Sequence, residues 1–518
     1  MQTHVSPARA ALFAALLAVV VYFPAAGNRF ALDDVQIVQR NEAAHSVGAA
    51  VAAFARPYWP PEHGVGQWRP MVILSFALDW QLSGGDTTWL HAGNILLHAL
   101  VTALVVLLLA RFAAASAALA GGIVFAVHPV HVEAVANLVG RAELLAAAGL
   151  LGALLCAGSV RRRRSSGAAT WPAEAGLLGC VTLALLSKEH AAIAVVLLWL
   201  DDQARPAPEA SLPLRDYATT IVLTAIWLAA RSVVDRGASF ANVAPVFIRL
   251  DAAGRLATML PVTFVVLRLL VWPWDLSYDY RPRVIDRLEQ LTAVGLLGMA
   301  VLAALLVLAV LLWRRHRRAA LGLLIILVAW LPTSNLLFAT GIALSERTLY
   351  FSTVGLALLA ALGAEELRRR AGARMMLVLV VTVAVPLAAR SWTRAPVWVS
   401  TRTLVLGALG TQPQSYAVHE AMAHALWLRG QRQDAMREYE TASELFPLDP
   451  YLQTRIAVAA MELGEIRSAL RHARRALGTD SSLTAAREVL HAGLRRLDSA
   501  SAAAGRPGPV RRITPQPR

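Results

Sequence analysis

Residues 291–313 read LTAVGLLGMAVLAALLVLAVLLW, and Arg314-Arg315-His316-Arg317-Arg318 follows at once. An uncharged apolar run of this length matches a hydrocarbon core of about 30 Å crossed at about 1.5 Å per residue. An arginine cluster at its end is a cytoplasmic anchor. The same pattern recurs: Arg161–Arg164 closes one run and Arg368–Arg370 another. Over all 518 residues, 57% are hydrophobic and only 16% charged, with a mean hydropathy of +0.52. Soluble domains carry about a quarter charged residues, so an ordinary soluble enzyme is excluded. The chain reads as a polytopic membrane protein.

The formal net charge is +15, and Lys188 is the only lysine. Nucleic acid is the obvious partner for so basic a chain. The arginines, however, sit in short clusters at the ends of apolar runs, which sets orientation and reads no ligand. Cys156 and Cys180 both fall in apolar runs, so they read as small packing residues. The first run, Ala10 to Ala26, is either a signal peptide with a small-residue site at Ala25-Ala26-Gly27 or an uncleaved first span. A membrane domain needs the span, and that reading is preferred. A polar stretch, 27–88, forms a first extracytoplasmic loop, within which Trp68 to Leu82 has the spacing of an interfacial helix.

Further runs lie at 89–110, 113–128, 142–160, 171–200, 217–234, 257–272, 291–313, 319–336, 348–365 and 374–391. Lys188, Glu189 and His190 interrupt the 171–200 run. Taken as one broken span it gives about eleven spans and an outside C-terminus; taken as two it gives twelve and puts Arg314–Arg318 outside. Eleven is adopted, although it leaves the 231–256 loop inside. The membrane domain then covers 1–395.

After residue 396 the chain becomes amphipathic. Ala423, Gly430, Ala435 and Ala442 recur as Ala457, Gly464, Ala469 and Ala476, and Met422 recurs as Ile456. The 34-residue offset is the tetratricopeptide period. Two repeats and a cap helix at 482–497 make a short solenoid over 396–500, and 501–518 reads as a disordered basic tail. The fold class is all-α.

Three groups can carry chemistry. Asp33 and Asp34 follow the first span at the bilayer surface, where a partly dehydrated carboxylate can take a proton. In an extended segment their side chains point opposite ways, one towards a reaction centre and one towards a metal or backbone group. His128, His131 and Glu133 lie within six residues and can bind a divalent cation or hydrogen-bond within a turn. Arg347, in the loop before residue 348, can pair with a lipid phosphate or with Glu346. His91, Asn94 and His98 share a helix face and read as an interhelical polar seam.

Leu32-Asp33-Asp34, Trp68-Arg69-Pro70-Met71 leading to Leu78, Asn94-Ile95-Leu96-Leu97-His98-Ala99 and Phe125-Ala126-Val127-His128-Pro129-Val130-His131-Val132-Glu133-Ala134 occur in order. Gly140-Arg141-Ala142-Glu143-Leu144-Leu145, Lys188-Glu189 and Ser345-Glu346-Arg347-Thr348-Leu349-Tyr350 follow. With the repeats behind them, these blocks resemble the transmembrane and tetratricopeptide-repeat O-mannosyltransferases of the GT-C glycosyltransferase superfamily. The resemblance implies transfer of a sugar, mannose foremost, from a polyprenyl-phosphate donor to a Ser or Thr hydroxyl outside the cytoplasm. It implies Asp33 or Asp34 as the base, and Arg347, Arg69 or Arg141 beside the departing phosphate. A divalent metal on His128, His131 and Glu133 stays open, as does the acceptor, a protein held by the repeats or a lipid or surface glycan. The Arg-rich, Lys-poor composition points to a bacterium, hence an inner membrane with periplasmic repeats. The rivals are a transporter, disfavoured because most charges sit at span ends, and a scaffold displaying the repeats.

Overall fold

In a computed structural model, residues 6–60, 66–205, 211–235 and 243–503 are described. Among them every regular element is helical. Seven helices are long and apolar enough to cross a membrane, or eight if a pair bent by 48° at His128 counts as one span, so the chain is a multi-pass membrane protein. The chain divides into two compact units: residues 1–244, 250–278 and 288–407, and residues 245–249, 279–287 and 408–518. The last segment of the second unit begins at Ala408, and residues 395–401 are bound to the first loop: Ala395 and Val399 carbonyls accept from Asn28 Nδ2 and the Arg29 N–H, and Thr401 Oγ1 accepts from the Leu32 N–H.

In the first unit, α1 (Pro7–Tyr22) is capped by Ser6 and continues as a short 3-10 turn to Gly27. α2 (Pro70–Ser83) starts two residues after Trp68 because proline fits the first helical turn. Its buried face, Val72, Ile73, Phe76 and Ala77, meets Ile37, Val38 and Leu138. Asp86 caps α3 (Thr87–Leu109), α4 (Ala115–Val127) follows, and α5 (Arg141–Ser165) runs into the first arginine cluster.

The 171–200 run is a hairpin. Its limbs are α6 (Trp171–Leu185) and α7 (Ala194–Gln203). Lys188 at the turn reaches Glu143 at the start of α5, while Asp201 and Asp202 at the far end of α7 pair with Arg161. α8 (Leu214–Val234) leaves the arginine end, where Arg215 pairs with Glu174. Next, α9 (Ala252–Met259) and α10 (Val262–Val271) have both ends at the opposite end of the unit. Arg255 donates to the Asn335 carbonyl at 2.9 Å, and the Leu270 carbonyl lies 3.1 Å from His128 Nε2.

α11 (Ala293–Arg315) and α12 (Arg317–Trp330) meet at the arginine end, Arg318 donating to the Phe112 carbonyl. α13 (Ser352–Arg394) folds back on itself at Gly372, whose φ of +87° only glycine adopts without strain. Glu365 accepts from the Ala114 N–H at one end of α4, and Ser391 Oγ donates to the Val127 carbonyl at the other. The three arginine clusters therefore share one end.

The second unit holds α14 (Tyr416–Leu428), α15 (Arg432–Leu445), α16 (Pro450–Glu462), α17 (Ile466–Thr479) and α18 (Thr484–Ala503). Gly430 and Gly464 both sit at φ +78° in the turns between helices. Their left-handed conformation explains why glycine recurs there. The interior collects Tyr416, Ala423, Tyr439, Ala442, Ile456, Ala457, Ala469 and Ala473. α18 runs to Ala503, and 504–518 of the expected tail lie outside the described residues.

Candidate active site

The first loop leaves α1 with Asn28 bonded to the Ala136 and Ala395 carbonyls. Leu32 then takes φ +50°, a left-handed conformation costly for a leucine. This turn leads into the two aspartates, which differ in burial. Asp34 is fully buried. Its Oδ1 accepts from the Val139 N–H at 3.0 Å and its Oδ2 from the Ala31 N–H at 3.2 Å. Burial, with the charge of Asp33 adding to it, pushes the Asp34 carboxyl up to about 7, against those backbone donors. Asp33 is half-buried, and its carboxylate has no hydrogen bond or ion pair among the described residues. Asp34 is a clasp within the fold; Asp33 has its capacity free.

Arg347 feels the charge of Asp33, and Arg69 and Lys188 stand close to Arg347, each cation partly held by an acid. Arg69 Nε and Nη2 engage Glu189 at 2.8 to 3.2 Å. Burial works against both charges, yet the pairing wins: Arg69 is raised and Glu189 is pulled down to about 2. Arg347 Nη1 lies 3.1 Å from Glu133 Oε1, and its own backbone N–H donates to Glu133 Oε2 at 3.0 Å. Burial again opposes its charge, but Glu133 and then Asp33 outweigh it, and Arg347 is raised. Lys188 pairs with Glu143, yet burial prevails and lowers its pKa.

Glu133 thus positions Arg347, and Ser345 Oγ adds a third donor to it at 2.7 Å. The two histidines of the same block turn elsewhere. His131 Nε2 meets Thr353 Oγ1 at 2.7 Å, and His128 Nε2 the Leu270 carbonyl. Both are enclosed with Tyr22, His98, Phe125 and Tyr350. His128, His131 and Glu133 do not converge, and among the described residues no group of three or more His, Cys, Asp or Glu is arranged to hold a metal ion.

Arg141 also leaves the phosphate-binding set. It is 1% exposed, with Nε on Asn94 Oδ1, Nη1 on Asp79 and Ser75, Nη2 on the Leu90 carbonyl, and its plane over Phe76. Asn94 in turn donates to the Val135, Asn137 and Leu138 carbonyls. With His98 on Tyr350 and Ala126, this is the interhelical seam. Sequence reasoning placed Glu189 and Lys188 in the pattern without giving them a site role, and it missed Tyr58, over whose ring Arg69 lies at 5.2 Å. A single lysine in an apolar run was the available signal for the former; Tyr58 had none.

No protein-family model matches the chain. Among curated proteins it is similar to the protein O-mannosyl-transferase F38B6.6 of Caenorhabditis elegans, 26% identical over 449 residues, 83% of this chain and 62% of the relative. It is similar to the protein O-mannosyl-transferase Tmtc2 of Drosophila melanogaster, 34% identical over 54% of this chain and 31% of the relative. The protein O-mannosyl-transferase TMTC3 of Mus musculus is 25% identical over 81% of this chain and 49% of its own length. The chain spans less than two thirds of the length of each. All three are animal proteins, so the bacterial source read from composition finds no support in them. Among solved structures, the apo oligosaccharyltransferase of Archaeoglobus fulgidus aligns with 75% of this chain and 55% of its own at 11% identity, with a TM-score of 0.41, too low to assign a fold.

Proposed function

We propose that this chain is an integral-membrane glycosyltransferase that moves mannose from a polyprenyl-phosphate carrier to a Ser or Thr hydroxyl of a protein. The carrying observation is the inequality of the aspartates: beside Arg69, Arg347 and Lys188, one carboxylate is clasped by backbone and the other is free. The names of the similar proteins support the sugar and the protein acceptor.

In the proposed reaction the acceptor oxygen attacks the anomeric carbon. A glycosidic C–O bond forms as the C–O bond to the carrier phosphate breaks, and the phosphate leaves with the electron pair. Asp33 takes the hydroxyl proton. Arg347 and Arg69, already held by Glu133 and Glu189, stabilise the charge growing on the phosphate without reorganising. No step runs through a metal ion.

The arginine end is assigned to the cytoplasm. The chain then makes eleven passages: α1, α3, α4, α5, α6, α7, α8, α11, α12 and the two limbs of α13. α6 and α7 count as two and α9–α10 as none, which moves the 231–256 loop to the site end, outside. The 34-residue offset of α14–α15 and α16–α17 supports tetratricopeptide repeats that hold the acceptor.

The test is transfer by the full-length protein in detergent, from labelled polyprenyl-phosphate-mannose to a Ser/Thr-rich peptide pool. Labelled peptide is the expected result. Donor hydrolysis without labelled peptide points to a glycan or lipid acceptor, and no donor consumption leaves the scaffold.

A further inference from the structure

Tyr58 lies in the first loop ahead of α2, and the residue is 3% exposed. Its backbone is fixed, the N–H donating to the Gln67 carbonyl at 2.7 Å, and its ring is covered by the Arg69 guanidinium. The hydroxyl, however, is buried with no hydrogen-bond partner among the described residues. A second buried group nearby in the chain, Gln67 Oε1, is also unpaired, on a residue held at φ +90°. Buried polar groups are nearly always paired, and each exception calls for a reason. Strain beside unpaired groups marks ligand-binding segments more often than cores.

The charges around this hydroxyl define its missing partner. Arg69 and Arg347 can only donate, and a phenol deep in protein stays protonated, its pKa pushed up by burial. Asp33 and Asp34 are among the charges acting on it, but neither is hydrogen-bonded to it. A hydroxyl able to donate, with the Arg69 guanidinium over its ring and the charge of Arg347 reaching it, suits an anion with several acceptor oxygens, such as a phosphate.

We propose that the Tyr58 hydroxyl is a ligand of the carrier phosphate in the donor, holding it between Arg69 and Arg347. This rests on the transferase reading above. It makes Tyr58 a donor-binding residue and leaves the chemistry to Asp33. In the absence of substrate the hydroxyl contributes nothing to the fold.

Two readouts on the full chain, wild type against Tyr58→Phe, test this. Binding of undecaprenyl phosphate is expected to weaken about tenfold, the effect of one charge-assisted hydrogen bond, with KM for donor rising and kcat changing little. The thermal midpoint without ligand should stay level or rise, since an unsatisfied buried hydroxyl is removed. Inorganic phosphate that competes in the wild type and loses that competition in Tyr58→Phe assigns the contact to the headgroup. Equal affinity for undecaprenyl phosphate in both proteins overturns the assignment. So does a lower midpoint, which marks a structural role, or a displaced pH profile at unchanged affinity, which makes Asp33 the partner. A wild type that transfers no sugar defeats the transferase reading itself, an outcome separate from these.

Discussion

The two ends of the first unit are both rich in ion pairs and differ in what the pairs leave over. At the arginine end Arg161 is 2% exposed and shared between Asp201 and Asp202, and Asp201 also takes Arg205. That cluster is enclosed, and at the same end the Arg161 Nε and the Asp216 Oδ2 are buried without a hydrogen-bond partner among the described residues. At the other end Arg69, Arg347 and Lys188 each have an acid, yet Asp33 and the Tyr58 hydroxyl stay unpaired beside them. Charge density does not separate an anchor from a site. Accessible unused capacity does: Asp33 is only half-buried, whereas the unpaired Arg161 Nε and Asp216 Oδ2 are enclosed.

The comparison can be broken by substitution. Asp33→Asn should cost about 10²- to 10⁴-fold in kcat, the usual worth of a general base, with little change in the thermal midpoint, because the lost attraction to Arg347 is offset by relief of the repulsion from Asp34. Arg161→Ala is the mirror case. It leaves Asp202 without its cation and Asp201 with Arg205 alone, and should destabilise the protein by about 3–5 kcal/mol, with donor KM unchanged in the folded fraction, read by denaturant titration beside steady-state kinetics. Loss of activity without loss of stability in Arg161→Ala would erase the distinction between the two ends.

Smaller effects sharpen it. Glu133→Gln weakens the hold on Arg347, and a displaced phosphate ligand should lower kcat/KM by about a hundredfold. Asp34 gives a pH signature. Its carboxyl is raised from the usual 3.8 to about 7, so its contribution to stability is complete below 3.8 and is lost as pH rises to about 7. The midpoint of wild type minus that of Asp34→Asn should therefore fall across this window and level off above it. In the second unit, Gly464→Ala forces a side chain into φ +78° and should cost about 1 kcal/mol without touching the first unit.

Much of the fold is legible in hydropathy and period. The apolar runs, the shared role of the arginine clusters and the 34-residue offset all come from one-dimensional pattern. The 171–200 run misleads, because hydropathy records the charges of Lys188 and Glu189 but not that Glu143 and Arg69 wait for them at one end. The 252–271 segment misleads for the opposite reason: it is apolar enough to cross, yet its partners Asn335 and His128 hold both ends on one side. In the site, an Asp-Asp pair is visible, but which member is free depends on the Val139 N–H, 105 residues away in the chain. The histidines of the 128–133 block look like ligands in sequence and become core because Thr353 and Leu270 meet them.

The most direct test is single-turnover transfer from labelled polyprenyl-phosphate-mannose by wild type, Asp33→Asn and Asp34→Asn, each checked for folding. The account predicts that Asp33→Asn folds like wild type and transfers about 10²- to 10⁴-fold more slowly, while Asp34→Asn loses stability and keeps transfer in proportion to its folded fraction. Full transfer by Asp33→Asn, or its loss in a well-folded Asp34→Asn, would contradict it.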